Sequence, residues 1–327
     1  ASDNDITIQT EIEKSEDLEI TTPGSIVIKG KYVLDIIRKL DSEFINIEII
    51  DDYKVLIYTE NSEFNLNGID AREYPPIDLS LNDDFISLSV KDFKNIVNQT
   101  NYASSTDESR IVLTGLNLKT NKDMLECSAT DSYRLSLKKY KMEKSLTKDV
   151  NIIIPSRNLT ELLKLFFDES EEMLNIYIFG NKIIFKFNNI IFQSRLINGS
   201  YPNTVNLIPN ETLFDLRINK REFYNMVDRA SILNNDRDNN IITLEINNNL
   251  LKITSMSLEI GKVEEKLAIN CSDNIKISFS SKYMMDALRT ISTEDVIISF
   301  VGEIKPILLR ESSNNDLIGL ILPIRTY

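Results

Sequence analysis

The sequence predicts an α+β fold of three repeated domains, each with two helices backed by antiparallel sheets. A stretch in which a short alternating strand runs into an amphipathic helix occurs at 26–40, 152–166 and 277–291. These copies recur about every 125 residues, and a fixed spacing of this kind indicates repeated structural units. Short alternating segments, typical of half-buried antiparallel strands, follow each copy. After the first copy, Asp51 and Asp52 are predicted to form a turn between two of these strands. The chain is therefore predicted to be a tandem array of three similar domains.

Each domain divides into two halves. A related strand and helix pattern occurs at 85–103 and again at 213–232, with Phe93 and Phe223 at matching places. Strands are predicted after each of these, the first of them at 112–120. We assign this pattern to the first half of a domain and the repeated stretch to the second half. The start of the chain, 1–13, resembles the end of a first half. By comparison with the second domain, roughly 44 residues are expected before Ala1.

Proline-containing segments mark the predicted domain boundaries. Pro75 and Pro76 cannot both continue a sheet, because proline has no N–H to donate to a strand ladder. A second Tyr-Pro pair, Tyr201 and Pro202, begins an equivalent segment. The predicted domains are residues 1–77, 78–209 and 210–327.

The composition gives catalysis little support. The chain has no histidine, which removes the commonest general base and the usual zinc ligand. It also lacks a glycine-rich phosphate-binding motif. We predict a protein that is not an enzyme and that binds no metal or cofactor. The alternative from another class is an α+β hydrolase that uses some of the scattered carboxylates with a divalent metal.

The cysteines and the hydropathy bear on location. Cys127 and Cys271 form neither a metal quartet nor a disulfide framework, and they fit small core residues in a reducing cytosol. No run reaches the roughly 18 apolar residues that a membrane helix needs. A cytoplasmic protein without a membrane partner is predicted.

Positive charge recurs on the predicted helices, although the net charge is −13. A repeat array places equivalent residues on one surface, so these cations would form a shallow positive surface on an acidic body. Such a surface contacts phosphates without reading bases. The residues predicted to face DNA are Lys31, Arg38, Lys39, Lys91, Lys94, Arg110, Arg157, Lys164, Lys220, Arg221, Lys282 and Arg289.

Seven motifs in a fixed order carry a resemblance to a known family. They are SEFNLNGIDAREYPPI, QTNYASSTDESRIVLTGLNL, CSATDSYRLSLKK, SRLINGSYPNT, DRASIL, SKYMMDALR and LILPIRTY. With them the chain resembles the bacterial DNA polymerase III beta subunit, the beta sliding clamp, most of all that of low-GC Gram-positive bacteria. The resemblance covers the whole chain.

The resemblance implies a ring-shaped homodimer with helices lining the hole and sheets forming the outer wall. The ring would encircle double-stranded DNA without sequence specificity and confer processivity in DNA replication. The implied partners are the DNA polymerase III alpha subunit, the clamp loader and other proteins with a clamp-binding motif. The implied interface sets Phe64 of one chain against Ile232 and Leu233 of the other.

The resemblance also implies a cleft between the second and third domains. It would hold a short partner segment with Leu and Phe anchors and a glutamine, in an apolar pocket with two guanidinium groups at its rim. The matching residues are Leu113, Thr130, Ser132, Tyr133, Arg134, Leu135, Pro209, Leu320, Leu322, Pro323, Ile324 and Arg325. An ordinary buried last strand is the alternative interpretation of 320–324.

Tyr133 departs from the family pattern, since many members have histidine there. This departure leaves open a second function of the same fold. The chain would then be a clamp-like accessory factor of a mobile element with a specialised partner.

Overall fold

The computed structural model describes residues 1–50, 53–166, 172–233, 240–257 and 260–325. Within these ranges it contains five α-helices. The helices are Gly30–Lys39 (α1), Val90–Thr100 (α2), Ser156–Leu163 (α3), Lys220–Ser231 (α4) and Ser281–Thr290 (α5). Helices α1, α3 and α5 belong to the three copies of the repeated stretch, and α2 and α4 to the two first halves.

The strands follow the same repeat. In the first third they are Ile6–Thr10 (β1), Ile26–Val27 (β2), Asn46–Ile50 (β3), Lys54–Tyr58 (β4), Glu63–Asn67 (β5) and Ile69–Asp70 (β6). In the second they are Phe85–Ser89 (β7), Gly115–Asn121 (β8), Met124–Thr130 (β9), Arg134–Lys141 (β10), Asn151–Pro155 (β11), Met173–Ile178 (β12), Lys182–Phe187 (β13) and Ile190–Arg195 (β14). In the last they are Phe214–Asn219 (β15), Ile241–Asn247 (β16), Leu250–Ser257 (β17), Gly261–Ala268 (β18), Ile275–Ser280 (β19), Asp295–Phe300 (β20), Ile307–Glu311 (β21) and Leu317–Ile321 (β22).

Side-chain caps explain where three of the helices begin. Ser89 Oγ accepts the backbone N–H of Asp92 at 2.9 Å at the start of α2. Asn219 and Ser280 make the same kind of bond at the starts of α4 and α5. Each cap satisfies one of the N–H groups that a helix leaves unpaired in its first turn. The capping residue therefore determines where the strand ends and the following helix begins.

The two matching phenylalanines are core residues, as the repeat predicts. Phe93 on α2 packs against the rings of Phe166 and Phe185, with centroids 6.2 and 5.4 Å away. Phe223 on α4 is fully buried in the core of the last third. Burying a phenylalanine contributes about 2 kcal/mol, so these anchors fix each helix against its sheet.

Two sheets run across the predicted domain boundaries. The eight-stranded sheet has the order β11-β8-β9-β10-β22-β21-β20-β15, and its β10 and β22 are antiparallel neighbours. The five-stranded sheet has the order β1-β14-β13-β12-β7, so β1 of the first third pairs with β14 of the second. Hydrogen-bonded ladders therefore join successive thirds of the chain.

Two smaller sheets have unpaired edge strands. The three-stranded sheet β3-β4-β5 ends at β5, and the four-stranded sheet β18-β17-β16-β19 ends at β18. Strands β2 and β6 form a separate pair. Helix α1 has no buried residue, and Tyr32, Leu34 and Ile37 on it are exposed. Within the described residues, α1 in the first third therefore has no side chain fully buried against the rest of the chain.

Three local predictions differ from the structure or lie outside it. Residues 112–114, expected at the start of a strand, belong to a 3-10 helix, Glu108–Thr114. Helix α3, expected to continue to Phe166, ends at Leu163 and carries no net charge within its bounds. The turn predicted at Asp51 and Asp52 lies outside the described residues.

Candidate partner cleft and DNA-facing surface

The candidate cleft lies where β10 of the second third meets β22 of the last third. Leu135 lies opposite Leu320 in this ladder. Beyond the end of β22, the backbone N–H of Leu322 donates to the carbonyl of Tyr133 at 2.9 Å. Leu322 is thereby held beside the start of β10. Residues that the sequence separates by almost 190 positions are neighbours here because of this register.

The floor of the cleft is apolar. Leu135, Leu308 and Leu320 form a small buried cluster, and Ile208 and Ile318 pack against it. Pro209 follows Ile208 directly in the chain. Leu308 and Ile208 are cleft residues that the sequence analysis missed. Leu308 lies in an apolar run, residues 307–309, in which all three residues are buried. Such a run marks it as core without distinguishing a cleft floor from any other core.

A cavity of about 700 Å³ opens beside this floor. Tyr133, Leu322, Pro323 and Ile324 line it, and all four belong to the predicted cleft. Tyr133 is 63% exposed and Leu322 is 38% exposed, so both present apolar surface to solvent. The remaining lining residues are Asn240, Ser280, Lys282 and Tyr283. Lys282 therefore lies at the cleft, which differs from its prediction as a DNA-facing residue.

A polar turn forms the wall next to the cavity. The Asp131 carboxylate accepts the N–H groups of Tyr133 and Arg134 at 2.9 and 3.0 Å. Ser132 between them has a φ of +79°, a left-handed conformation that a non-glycine residue adopts at a cost of about 1 kcal/mol. Thr130 N–H donates to the Tyr201 hydroxyl at 2.9 Å. These bonds fix the backbone from which Tyr133 projects.

Arg134 occupies a different position from the one predicted. Its side chain is only 11% exposed, and its guanidinium donates to Asp131 at 3.0 Å and to Asp286 at 2.7 Å. It also lies over the rings of Tyr102 and Tyr283, 5.4 and 4.5 Å from their centroids. The prediction of two guanidinium groups at the rim is wrong for this residue, because its ion pairs and aromatic contacts hold it between the two domains.

Arg110 is also placed differently. It lies on the 3-10 helix that precedes β8, and its Nη1 donates to the Ser132 hydroxyl at 2.9 Å. Leu113 lies on the same short helix and is buried. Arg110 therefore borders the cleft and lies on none of the five α-helices. Its exposed side chain, with that of Arg325, supplies the positive charge beside the cleft.

The helices carry most of the remaining predicted cations on exposed positions. These are Lys31, Arg38 and Lys39 on α1, Lys91 on α2, Arg157 on α3 and Arg221 on α4. Lys94 on α2 is half-buried. Arg38 and Lys39 lie in the last turn of α1, where positive charge is favoured by the helix dipole. Helices α1 to α4 therefore each present at least one exposed cation, whereas in α5 Lys282 lines the cleft cavity and Arg289 is paired with Asp286.

Lys164, Lys220 and Arg289, also predicted to face DNA, make hydrogen bonds or ion pairs within the chain. Lys164 lies just beyond α3 and pairs with Glu161 at 2.8 Å. The Lys220 ammonium donates to the carbonyl of Ile291 at 2.6 Å. Arg289 pairs with Asp286 at 3.0 Å and donates to the Tyr224 hydroxyl at 2.7 Å. Contact with a phosphate would compete with these bonds. The three residues therefore contribute less to a positive surface than the cations on α1.

The predicted interface residues lie at the two edge strands. Phe64 is on β5, an edge strand of the three-stranded sheet. Ile232 and Leu233 follow α4, which packs against β18, an edge strand of the four-stranded sheet. Ile232 is 73% exposed. The two edges belong to the first and last thirds of the chain.

Comparison with known proteins decides the family. The DNA polymerase III beta subunit profiles match in order, with the N-terminal domain at residues 1–78, the central domain at 87–203 and the C-terminal domain at 205–325. The beta sliding clamp of Staphylococcus epidermidis is 42% identical over 99% of this chain and 86% of its own length. The chain belongs to the DNA polymerase III beta subunit family.

Other relatives agree with this assignment. The beta sliding clamp of Staphylococcus aureus is 41% identical over the whole chain and 88% of its own length. The crystal structure of the DNA polymerase sliding clamp from Bacillus subtilis has a TM-score of 0.94 and 38% identity, covering 100% of this chain and 87% of that one. The predicted family and the α+β clamp fold are confirmed.

Sliding clamps are processivity factors without catalytic activity, so family membership also confirms the prediction that the chain is not an enzyme and decides against the hydrolase. Among the residues that the structure describes, no group of three or more His, Cys, Asp or Glu is placed to hold a metal ion. No helix within the described ranges is both long and apolar enough to cross a membrane.

Proposed function

We propose that this chain is a sliding clamp that encircles double-stranded DNA as a head-to-tail homodimer and tethers the replicative polymerase. The observation that supports this proposal best is the arrangement of sheets. Ladders join the successive thirds of one chain, and the edge strands of the sheets include β5 in the first third and β18 in the last. A contact between unlike edges that closes on itself gives a finite ring.

The interface of this ring would pair β5 of one chain with β18 of the other. Unpaired edges expose N–H and C=O groups that favour pairing with another strand. Phe64 on β5 would pack against Ile232 and Leu233 of the partner chain. Burial of Ile232, which is 73% exposed in the single chain, would supply apolar contact area.

The DNA would be held by weak contacts and by topology. Exposed lysines and arginines on the helices attract phosphates, and this attraction is screened by salt and carries no sequence information. A closed ring needs no stronger contact to stay on the duplex. The net charge of −13 would keep DNA away from the other faces of the ring.

The cleft would bind the DNA polymerase III alpha subunit, the clamp loader and other partners through a short segment. The buried Leu135, Leu308 and Leu320 provide an apolar floor, and Tyr133 and Leu322 provide exposed anchors beside a cavity of about 700 Å³. A pocket of this size and polarity suits Leu and Phe side chains. Tethering acts by raising the partner's effective concentration at the template.

The decisive experiment is retention on circular DNA. The chain is loaded with a clamp loader and ATP onto nicked circular duplex, and its co-elution with the DNA is measured before and after the circle is cut. We expect retention on the circle and release after cutting. Ile232→Asp, which puts a charge at the proposed interface, serves as a control that should not be retained. A protein that stays bound to the cut DNA would refute topological linkage.

The accessory factor of a mobile element is the second candidate, favoured by the exposed Tyr133 in the cleft wall. Replacement of a host clamp in a reconstituted replication assay separates the two. Support of normal synthesis by the host polymerase indicates the housekeeping protein, and synthesis only with a specialised partner indicates the accessory factor. For either candidate we propose a cytoplasmic location and domains at 1–77, 78–209 and 210–327.

A further inference from the structure

The junction between the first and second thirds repeats the backbone frame of the cleft. The Asp3 carboxylate accepts the N–H groups of the second and third residues after it, at 2.8 and 2.7 Å. The Asp131 carboxylate accepts the corresponding N–H groups at 2.9 and 3.0 Å. The turn that leads into the cleft therefore has a counterpart near the start of the chain.

The ladders that follow these turns have the same register. Thr7 on β1 lies opposite Gln193 on β14, just as Leu135 on β10 lies opposite Leu320 on β22. Thr7 is four residues after Asp3, and Leu135 is four residues after Asp131. The two strand pairs are thus equivalent residue by residue.

A third bond completes the correspondence. The backbone N–H of Arg195 donates to the carbonyl of Asp5 at 2.9 Å. In the cleft, the N–H of Leu322 donates to the carbonyl of Tyr133, also at 2.9 Å. Tyr-Pro pairs, at 74–75 and 201–202, begin the connecting segment at each junction. The first junction therefore has the same backbone arrangement as the cleft.

The side chains on this frame have the opposite polarity. Four apolar residues of the cleft have polar counterparts at the first junction: Asp5 for Tyr133, Thr7 for Leu135, Gln193 for Leu320 and Arg195 for Leu322. These four polar residues also line a cavity of about 440 Å³. Its other charged residues include Asp78 and Lys182, which pair with each other at 3.3 Å. The two junctions therefore share a backbone arrangement but differ in the polarity of their side chains.

Polar lining changes what such a groove accepts. A Leu or Phe side chain placed there would remove water from the charges of Asp5 and Arg195 without offering them a hydrogen bond. Gln193 Oε1 is already buried without a partner among the described residues, and an apolar side chain would leave it unsatisfied. Burying charged and polar groups without partners is unfavourable, whereas the same side chain in the cleft gains apolar contacts.

We infer that Asp5, Thr7, Gln193 and Arg195 exclude apolar partner segments from the first junction, so that each chain offers one partner site although its fold provides two frames. This inference rests on the proposed function of the cleft. It assigns a specificity role to four residues that lie outside that cleft.

The test is the stoichiometry of peptide binding. The probe is a synthetic peptide with a glutamine and Leu and Phe anchors, titrated by calorimetry into the full chain. The test variant, Asp5→Tyr/Thr7→Leu/Gln193→Leu/Arg195→Leu, transfers the cleft side chains to the first junction. We expect one peptide per chain for the original protein and two for the variant.

Two further variants keep this test decisive. Asp215→Leu/Arg217→Leu adds apolar surface to β15, which has no such frame, and should still bind one peptide. Gln193→Leu/Arg195→Leu leaves buried Thr7 unchanged and serves if the fourfold variant does not fold. It should gain a second site about tenfold weaker than the cleft.

The possible results separate the inference from the proposed function. Two peptides on the original chain, or one on a folded fourfold variant, would overturn the inference and leave the cleft in place. No peptide on the original chain would overturn the cleft itself and the inference with it. Adding Leu322→Asp to disable the cleft should leave one site in the fourfold variant and none in the original chain, which locates the new site.

Discussion

The Arg134 guanidinium donates to the Asp286 carboxylate at 2.7 Å, and this ion pair joins β10 of the second third to α5 of the last third. Both side chains are largely buried, with 11% and 21% of their surface exposed. The pair lies between the cleft, which Tyr283 lines, and the pocket that contains Tyr102 and Arg289. Arg134 therefore contributes to the position of the two domains that form the cleft.

Removing Arg134 should destabilise the chain strongly. Arg134→Ala leaves the Asp286 carboxylate partly buried without this partner, which costs about 3 kcal/mol. Urea denaturation should show this loss in the free energy of unfolding. Arg217→Ala is the matched control, because it breaks an ion pair with Asp295 in which the arginine is 70% exposed. That change should cost less than about 1 kcal/mol. Equal effects of the two variants would contradict the structural role of Arg134.

Substitution of the exposed cleft anchors should weaken binding of a polymerase tail peptide. Leu322→Ala and Arg325→Ala each remove a contact at the cleft, and we expect losses of more than tenfold, about 1.4 kcal/mol. Fluorescence anisotropy with a labelled peptide measures the dissociation constant. Met256→Ala, at an apolar residue 70% exposed on β17, should leave it unchanged. Leu135→Ala should weaken binding too, but it also leaves a cavity in the core and lowers stability.

Neutralising the end of α1 should reduce DNA affinity. Arg38→Ala/Lys39→Ala removes two exposed cations, so fewer counterions are released on binding and the dependence of affinity on salt becomes flatter. Affinity for short duplexes of different sequence, measured at several salt concentrations, should fall uniformly. Lys119→Ala/Lys139→Ala removes the same charge from β8 and β10 and should have a smaller effect. A larger effect of the strand pair would place the DNA on the sheets.

Glu311 should make stability depend on acid pH. Its side chain is buried, which by itself raises the pKa, but bonds from the Ser292 hydroxyl and N–H outweigh this and the pKa is lowered. Because the folded-state pKa lies below the unfolded one, the stabilisation is present above about pH 5 and is lost as the pH falls through the folded pKa.

The variant Glu311→Gln tests this expectation. It should lower the free energy of unfolding by about 1–3 kcal/mol at pH 7 and by less at pH 3, measured by urea denaturation at both values. Glu303→Gln, at an exposed position, should change stability at neither pH. An unchanged pH dependence in Glu311→Gln would assign the acid sensitivity to other carboxylates.

Local sequence patterns were sufficient to predict the repeat, the helices and the main anchors. Phe93 and Phe223 could be matched because the amphipathic period places them on the buried face of each first-half helix. Leu135, Leu320 and Leu322 could be assigned to one cleft through the family resemblance, and the register of β10 and β22 places them together.

The positions of the arginines and of Lys282 could not be predicted in this way. Arg134 is buried because Asp286, which follows it by 152 residues, lies across the domain junction, and no local pattern reports that distance. Arg110 borders the cleft because a 3-10 helix replaces the expected start of a strand. Lys282 lines the cleft cavity because the start of α5 lies beside residues 322–324. In each case tertiary packing decides what a surface charge contacts.

The ladders across the junctions have a mechanical consequence. Five residue pairs join β1 to β14, and five join β10 to β22. The two junctions are therefore held by strand ladders of equal length. Bending the chain at either place would break several backbone hydrogen bonds together. Each chain should therefore behave as a stiff arc, and a ring of two arcs would open by parting their ends.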